Sequence, residues 1–179
     1  MATETLRPNA AGAENNIPSQ WPTSTLHYDK VDEVSSDGGS TIVYNGAASD
    51  DWTRDFYNVG ASGLSAETIN HLTVYARAWS DGATPIQHSI KICIRSNSTP
   101  TEDVEQTVTT SEAPYSKQWT KNPADGEDWE VADLADLQIG ISIRRCSTET
   151  GQSTIVTQVY VVVDYEAVAV GRSFGFIIG

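Results

Sequence analysis

The run Ile155-Val156-Thr157-Gln158-Val159-Tyr160-Val161-Val162-Val163-Asp164-Tyr165 alternates at period two. Ile155, Thr157, Val159, Val161, Val163 and Tyr165 fall on one side, and Gln158, Tyr160, Val162 and Asp164 on the other. Successive side chains of a strand point to opposite faces of its sheet, so such a run reads as β-structure. Both rows are apolar around Val161. The strand is therefore expected in the middle of a sheet, covered on both faces.

The same period extends outward along the chain. Leu72, Val74, Ala76 and Ala78 alternate with Thr73, Tyr75, Arg77 and Trp79. Past the turn at Asp81-Gly82, Ile86, His88, Ile90, Ile92 and Ile94 alternate with Gln87, Ser89, Lys91, Cys93 and Arg95. These two runs read as adjacent antiparallel strands with one dry and one wetter face. Weaker alternation follows at Val104 to Val108 and Tyr115 to Trp119, and a strong row at Leu137, Ile139, Ile141 and Ile143. In the first third, Leu26 to Val34, Thr41 to Tyr44 and Trp52 to Tyr57 are strand candidates between Ser/Gly/Asp-rich turns. Val131, Leu134 and Leu137 at i, i+3, i+6 suggest one short helix capped by Asp128. Val and Ile together number 28 against 6 Leu, with 19 Thr, a choice that favours pleated surfaces over helices. The expected fold is all-β: a jelly-roll-like antiparallel β-sandwich of about eight strands. It would span residues 23–166, between an extended N-terminal arm at 1–22 and an apolar tail at 167–179.

Charge and composition exclude several classes. The 179 residues carry a formal charge of −13, which repels phosphate backbones and argues against nucleic acid as a partner. The longest apolar run, Val159 to Val163, is far too short to span a bilayer, so no membrane partner is expected. The start Met-Ala-Thr-Glu-Thr lacks a basic and then apolar leader, so folding in a cytosol with reduced thiols is expected. His27, His71 and His88 have no His or Cys at ligand spacing, and the run Asp125-Gly126-Glu127-Asp128 lacks the EF-hand pattern. No nucleophile elbow, phosphate loop or dinucleotide fingerprint occurs. No metal or other cofactor, no catalytic residue and no enzymatic activity are expected.

Two features ask for a partner. The arm is rich in proline yet carries Leu6, Ile17 and Trp21, and Arg7 could meet an acidic neighbour. The tail ends in Phe174, Phe176, Ile177 and Ile178, which an isolated domain gains little by leaving uncovered. These eight residues are the expected assembly contacts. Separately, Trp79 falls on the wetter face of its strand, where an exposed indole would form a sugar-stacking platform.

In their order, several segments resemble virion-associated β-sandwich proteins of tailed viruses, from phage and archaeal-virus genomes. They are Thr3-Glu4-Thr5-Leu6-Arg7-Pro8-Asn9, Thr68-Ile69-Asn70 before Val74-Tyr75-Ala76-Arg77-Ala78, Asn122-Pro123-Ala124-Asp125-Gly126, Trp129, Ala132-Asp133-Leu134, Leu137-Gln138-Ile139-Gly140 and Gln158 to Tyr165. The resemblance spans residues 3 to 165. It implies a non-enzymatic structural virion protein assembled in the host cytoplasm, a capsid decoration or minor capsid protein. It further implies the major capsid protein or other virion proteins as partners, and a homo-oligomer. The alternative is a receptor- or glycan-binding module of a head or tail fibre.

Overall fold

A computed structural model describes residues 1–23, 26–46, 50–82, 88–145 and 152–167. The chain is all-β, built as two antiparallel sheets face to face. The first sheet joins β10 (Ala113–Trp119), β6 (Thr68–Ser80), β12 (Thr154–Glu166), β4 (Ile42–Asn45) and β3 (Ser19–Trp21) in that order, with β1 (Ala2–Leu6) also on β12. The second joins β2 (Pro8–Asn15), β5 (Thr53–Val59), β11 (Gln138–Arg144), β7 (Ser89–Ser96) and β8 (Thr99–Glu102), with β9 (Gln106–Thr107) also on β7. As the two-sided apolar run requires, β12 lies inside its sheet, between β6 on one side and β4 and β1 on the other.

The alternating rows meet between the sheets. Leu72, Val74, Ala76, Ala78, Val159, Val161 and Val163 line the inner face of the first sheet, and all are fully buried. Opposite them lie Ile90, Ile92, Ile94, Ile139, Ile141 and Ile143, also fully buried. Stiff β-branched side chains fill a pleated interior with little loss of rotamer freedom. Trp119 and Trp129 close one end, with the Trp129 indole N–H donating to the Trp119 carbonyl at 3.0 Å.

Several expectations give way. The predicted arm is three strands of the sandwich, with β1 and β3 in the first sheet and β2 in the second. Leu6 and Ile17 are 5% and 2% exposed, buried in their own domain's core. The runs holding Ala78 and Ile90 are not neighbours: β6 and β7 belong to different sheets, so the chain crosses between layers there. Leu26 to Val34 is no strand; it holds a 3-10 turn at His27–Lys30 followed by irregular chain. The short helix is a 3-10 turn at Val131–Leu134, capped by a reciprocal Glu130–Asp133 box rather than by Asp128. Finally, β12 carries a bulge between Val156 and Gln158. The extra residue flips the pattern, so Val156 joins the core and Ile155 turns to the outer face beside Trp79.

The sheet edges are short or guarded. At the β10 edge of the first sheet stand Pro114 and Lys117, the latter paired with Asp103 at 2.9 Å, and the strands on the other side, β3 and β1, have three and five residues. In the second sheet β2 loses register with β5 between Ala11 and Asn15, and β8 has four residues including Pro100. Such features keep an edge from accepting a foreign strand.

Candidate functional site

Because Leu72, Val74, Ala76 and Ala78 face inward, Thr73, Tyr75, Arg77 and Trp79 of β6 must face out. Strand register then assigns rows across the outer face of the first sheet. One runs Trp79, Ile155, Tyr44, Ser19; the next Pro114, Arg77, Gln158; the third Ser116, Tyr75, Tyr160; the fourth Gln118, Thr73, Val162, Thr5.

A strap of chain from Val31 to Thr41 crosses this face. Its start is pinned to β12, where Val159 N–H donates to the Val31 carbonyl at 2.8 Å and the Gln158 amide to the Glu33 carbonyl at 2.6 Å. Midway, the Ser36 hydroxyl reaches Glu112, which is also paired with Arg77. Burial by itself would raise the Glu112 carboxyl, but the bonds from Arg77 and Ser36 and the Arg77 charge together outweigh it and hold the group below its ordinary range. The Asp37 carboxylate then accepts from the backbone N–H groups of Gly39, Ser40 and Thr41, folding the strap back toward β4. Gly39 sits at φ +90 against the Trp79 ring, where an added Cβ would come within 3.2 Å of the indole. A side chain there would meet both the left-handed backbone and the ring.

The strap divides the face. On one side Trp79 is half-buried against it. On the other, Tyr75 and Tyr160 stack with centroids 5.0 Å apart and planes 13° from parallel, and the Arg7 guanidinium sits 5.0 Å above the Tyr160 ring. Arg7 is itself fixed by donating to the Glu33 and Val34 carbonyls of the strap. Arg7, Tyr160 and Tyr75 thus form a rigid ridge across three strand positions. Stacked aromatics and a cation on a ring face contribute roughly 0.5–1.5 kcal/mol and 0.5–1 kcal/mol respectively. Neither phenol hydroxyl has a hydrogen-bond partner among the described residues. Beside the ridge runs a row of Gln118, Thr73, Val162 and Thr5, all exposed or half-buried. The result is a strip of hydroxyl and amide groups bordered on one side by aromatic rings.

The structure brings few of the predicted site residues together. Leu6 and Ile17 are buried in the core of their own domain rather than presented to a neighbour. Arg7 is engaged within its own chain, as part of the ridge. Trp21, at the end of β3, is 56% exposed and remains a free surface. Trp79 is on the outer face but beneath the strap. Phe174, Phe176, Ile177 and Ile178 lie outside the described residues. Sequence reading passed over Tyr75 and Tyr160, although alternation put both on outer rows. Only the register that sets them opposite each other makes a site of them.

Two polar clusters elsewhere are held by bonds within the chain. Asp55, fully buried on β5, accepts from Ile17 N–H at 2.8 Å and from the Tyr57 hydroxyl at 3.2 Å, and meets His27 Nδ1 at 2.6 Å. Burial first, and the Asp55 carboxylate second, push the Tyr57 phenol well above its ordinary range, so it stays a neutral donor. This cluster ties the β2–β3 connection to the core. In the loop at Asp125 to Asp128, Gly126 at φ +81 closes a turn onto Asn122, and the Asp125 carboxylate accepts from Glu127 N–H. No group of three acidic, His or Cys side chains suited to a metal ion occurs among the described residues.

No family model matches the sequence, and no curated protein matches it. Among solved structures, the N-terminal cellulose-binding domain of Cellulomonas fimi β-1,4-glucanase C is similar at TM-score 0.43 and 15% identity, covering 71% of this chain and 78% of that one. The CBM35 module of Cellvibrio japonicus Abf62 is similar at TM-score 0.43 and 9% identity, covering 91% of this chain and 94% of that one. Likenesses this distant transfer neither a ligand nor an activity, and the ridge and its neighbouring row must be read on their own chemistry.

Proposed function

We propose that this chain is a non-catalytic glycan-binding module, with a sugar chain lying across the open half of the outer face. The observation that carries it is the Arg7–Tyr160–Tyr75 ridge beside the Thr5–Val162–Thr73–Gln118 row. A glycan offers apolar C–H faces bordered by hydroxyls. Aromatic walls meet the first, and phenol, threonine and glutamine groups the second. The ridge stands on a rigid sheet and is braced by the strap, so little ordering accompanies binding. A role in virion assembly drew on free ends. With residues 2–21 built into the sandwich, exposed Trp21 and the tail outside the described residues are what is left to support it.

The test is affinity electrophoresis through gels containing soluble plant, fungal or bacterial polysaccharides, supported by a glycan array. The intact protein should be retarded by at least one polymer. Tyr160→Ala and Tyr75→Ala should each lose about tenfold or more in affinity while keeping the circular dichroism of the parent. Absence of binding to every glycan, or unchanged binding by both variants, would remove this function.

A further inference from the structure

We infer a second site, for a single neutral sugar residue, in a recess at one end of the sandwich. This inference rests on the glycan-binding reading above but uses different residues. The recess has a volume of about 250 Å³ and lies between the end of β5, the β7–β8 turn and the approach to β11. Its polar lining is Asn58, Arg95, Ser98, Asp136 and Gln138, over an apolar floor that includes Val59 and Leu137.

Arg95 is the anomaly. The chain has 11 Lys and Arg against 24 Asp and Glu, so partners for a cation abound. Arg7 donates to the strap, Arg54, Arg77 and Arg144 are paired with glutamates, and Arg145 donates to the Gly46 carbonyl. Among the described arginines the Arg95 side chain alone makes no hydrogen bond, ion pair or ring contact. The side chain of Asp136, exposed at the rim of the same recess, likewise makes none. A rigid fork of donors and a carboxylate acceptor therefore share one hollow without satisfying each other.

The two charges select the ligand. An anion drawn to Arg95 meets Asp136, and a cation drawn to Asp136 meets Arg95. A neutral vicinal diol suits both: one hydroxyl oxygen accepts from the guanidinium, and the neighbouring hydroxyl donates to the carboxylate. The Asn58 and Gln138 side chains border the same hollow. Gln138 already accepts from Ala13 N–H through its oxygen at 3.0 Å, which leaves its NH₂ group as a donor. Ser98, at φ 66 in the tight β7–β8 turn, is held at the rim by the hairpin itself. The hollow has room for about one sugar ring, so the site would take a chain end or a branch.

The experiment is an NMR titration of the intact, isotope-labelled protein with methyl glycosides of glucose, galactose, mannose and xylose. Methyl glucuronide and glucosamine serve as charged counterparts. At least one neutral glycoside should shift the side-chain signals of Arg95, Asn58 and Gln138. Arg95→Ala and Asp136→Ala should each weaken that response about tenfold or more, with retardation by polysaccharide gels unchanged. Tyr160→Ala should do the reverse. Recess signals that no neutral glycoside moves would overturn the inference, even if the polysaccharide gels still retard the protein. So would tighter binding of the glucuronide that improves further in Asp136→Ala, since the hollow would then be an anion site. Recess shifts in a protein that no polysaccharide retards would uphold this site and sink the outer-face site instead.

Discussion

Replacing Leu6 with Ala separates a working strand from a free arm. Leu6 lies opposite Val161 at the inner end of β1 and is 5% exposed. Trimming it to Ala removes three carbon atoms from between β12 and the facing sheet. Buried Leu→Ala changes cost about 2–5 kcal/mol, and a site at the margin of a sheet can partly collapse, so about 2–4 kcal/mol is expected. For a domain of this size each kcal/mol moves the midpoint by about 2–4 °C, giving a fall of about 5–15 °C. Thr5→Ala is the internal control. It is one residue away, on the exposed side of the same strand, and should stay within about 0.5 kcal/mol. Thermal and urea melts of the two variants beside the parent provide the measurement. An arm detached from the sandwich would make both variants neutral. A Leu6→Ala midpoint within 1–2 °C of the parent, by about the same conversion, would refute the placement of β1.

Two further outcomes follow from local electrostatics. Burial, partly offset by hydrogen bonding from Thr41, raises the Glu33 carboxyl above its ordinary range, with Asp32 and Asp37 adding to the rise. The folded state then holds this proton more tightly than the unfolded chain, so stability from this group is present at low pH and is lost as pH rises through the raised value. Glu33→Gln should therefore raise the urea midpoint at pH 7, with the gain disappearing near pH 4; an equal loss at both pH values would contradict this. Burial, and next the Glu102 carboxylate, push the Cys93 thiol far above its ordinary range, so in a Cys146→Ser background no thiol should react with Ellman's reagent until denaturant is added. Rapid labelling of the native protein would show that Cys93 is accessible.

Much of the sandwich was legible because its core rows are long and unbroken. Ile139, Ile141 and Ile143, and Leu72 through Ala78, declare their inner face by period alone. The failures have specific physical causes. In β1 an inward position is taken by Glu4, whose carboxylate is used by Ser62 and by Gly63 N–H, so hydropathy gives no alternation. In β2 the selection is for small size: a Cβ on Gly12 would lie 2.5 Å from the Phe56 carbonyl oxygen, a steric demand that reads in sequence as a featureless Ala-Ala-Gly-Ala run. The bulge at Thr157 shifted Ile155 to the other face, and no residue type announces it. For the binding face, alternation identified the outer residues of β6 and β12. It could not say which of them the strap would cover, because Ser36, Asp37 and Gly39 reach the sheet through contacts remote in sequence.

The guarded edges bear on how this molecule behaves when many copies are held close together. Strand-by-strand growth into fibrils needs a long, flat row of bare backbone N–H and C=O groups. Here the longest outer strand of the first sheet is interrupted by Pro114, and its opposite border is divided between two short strands, β3 of three residues and β1 of five. The second sheet offers a border that breaks register and another that includes Pro100. The described residues therefore give neighbouring copies little to zip onto. Crowded on a surface or repeated in tandem along a longer polypeptide, the domains would remain separate beads, each with its outer face turned to solvent.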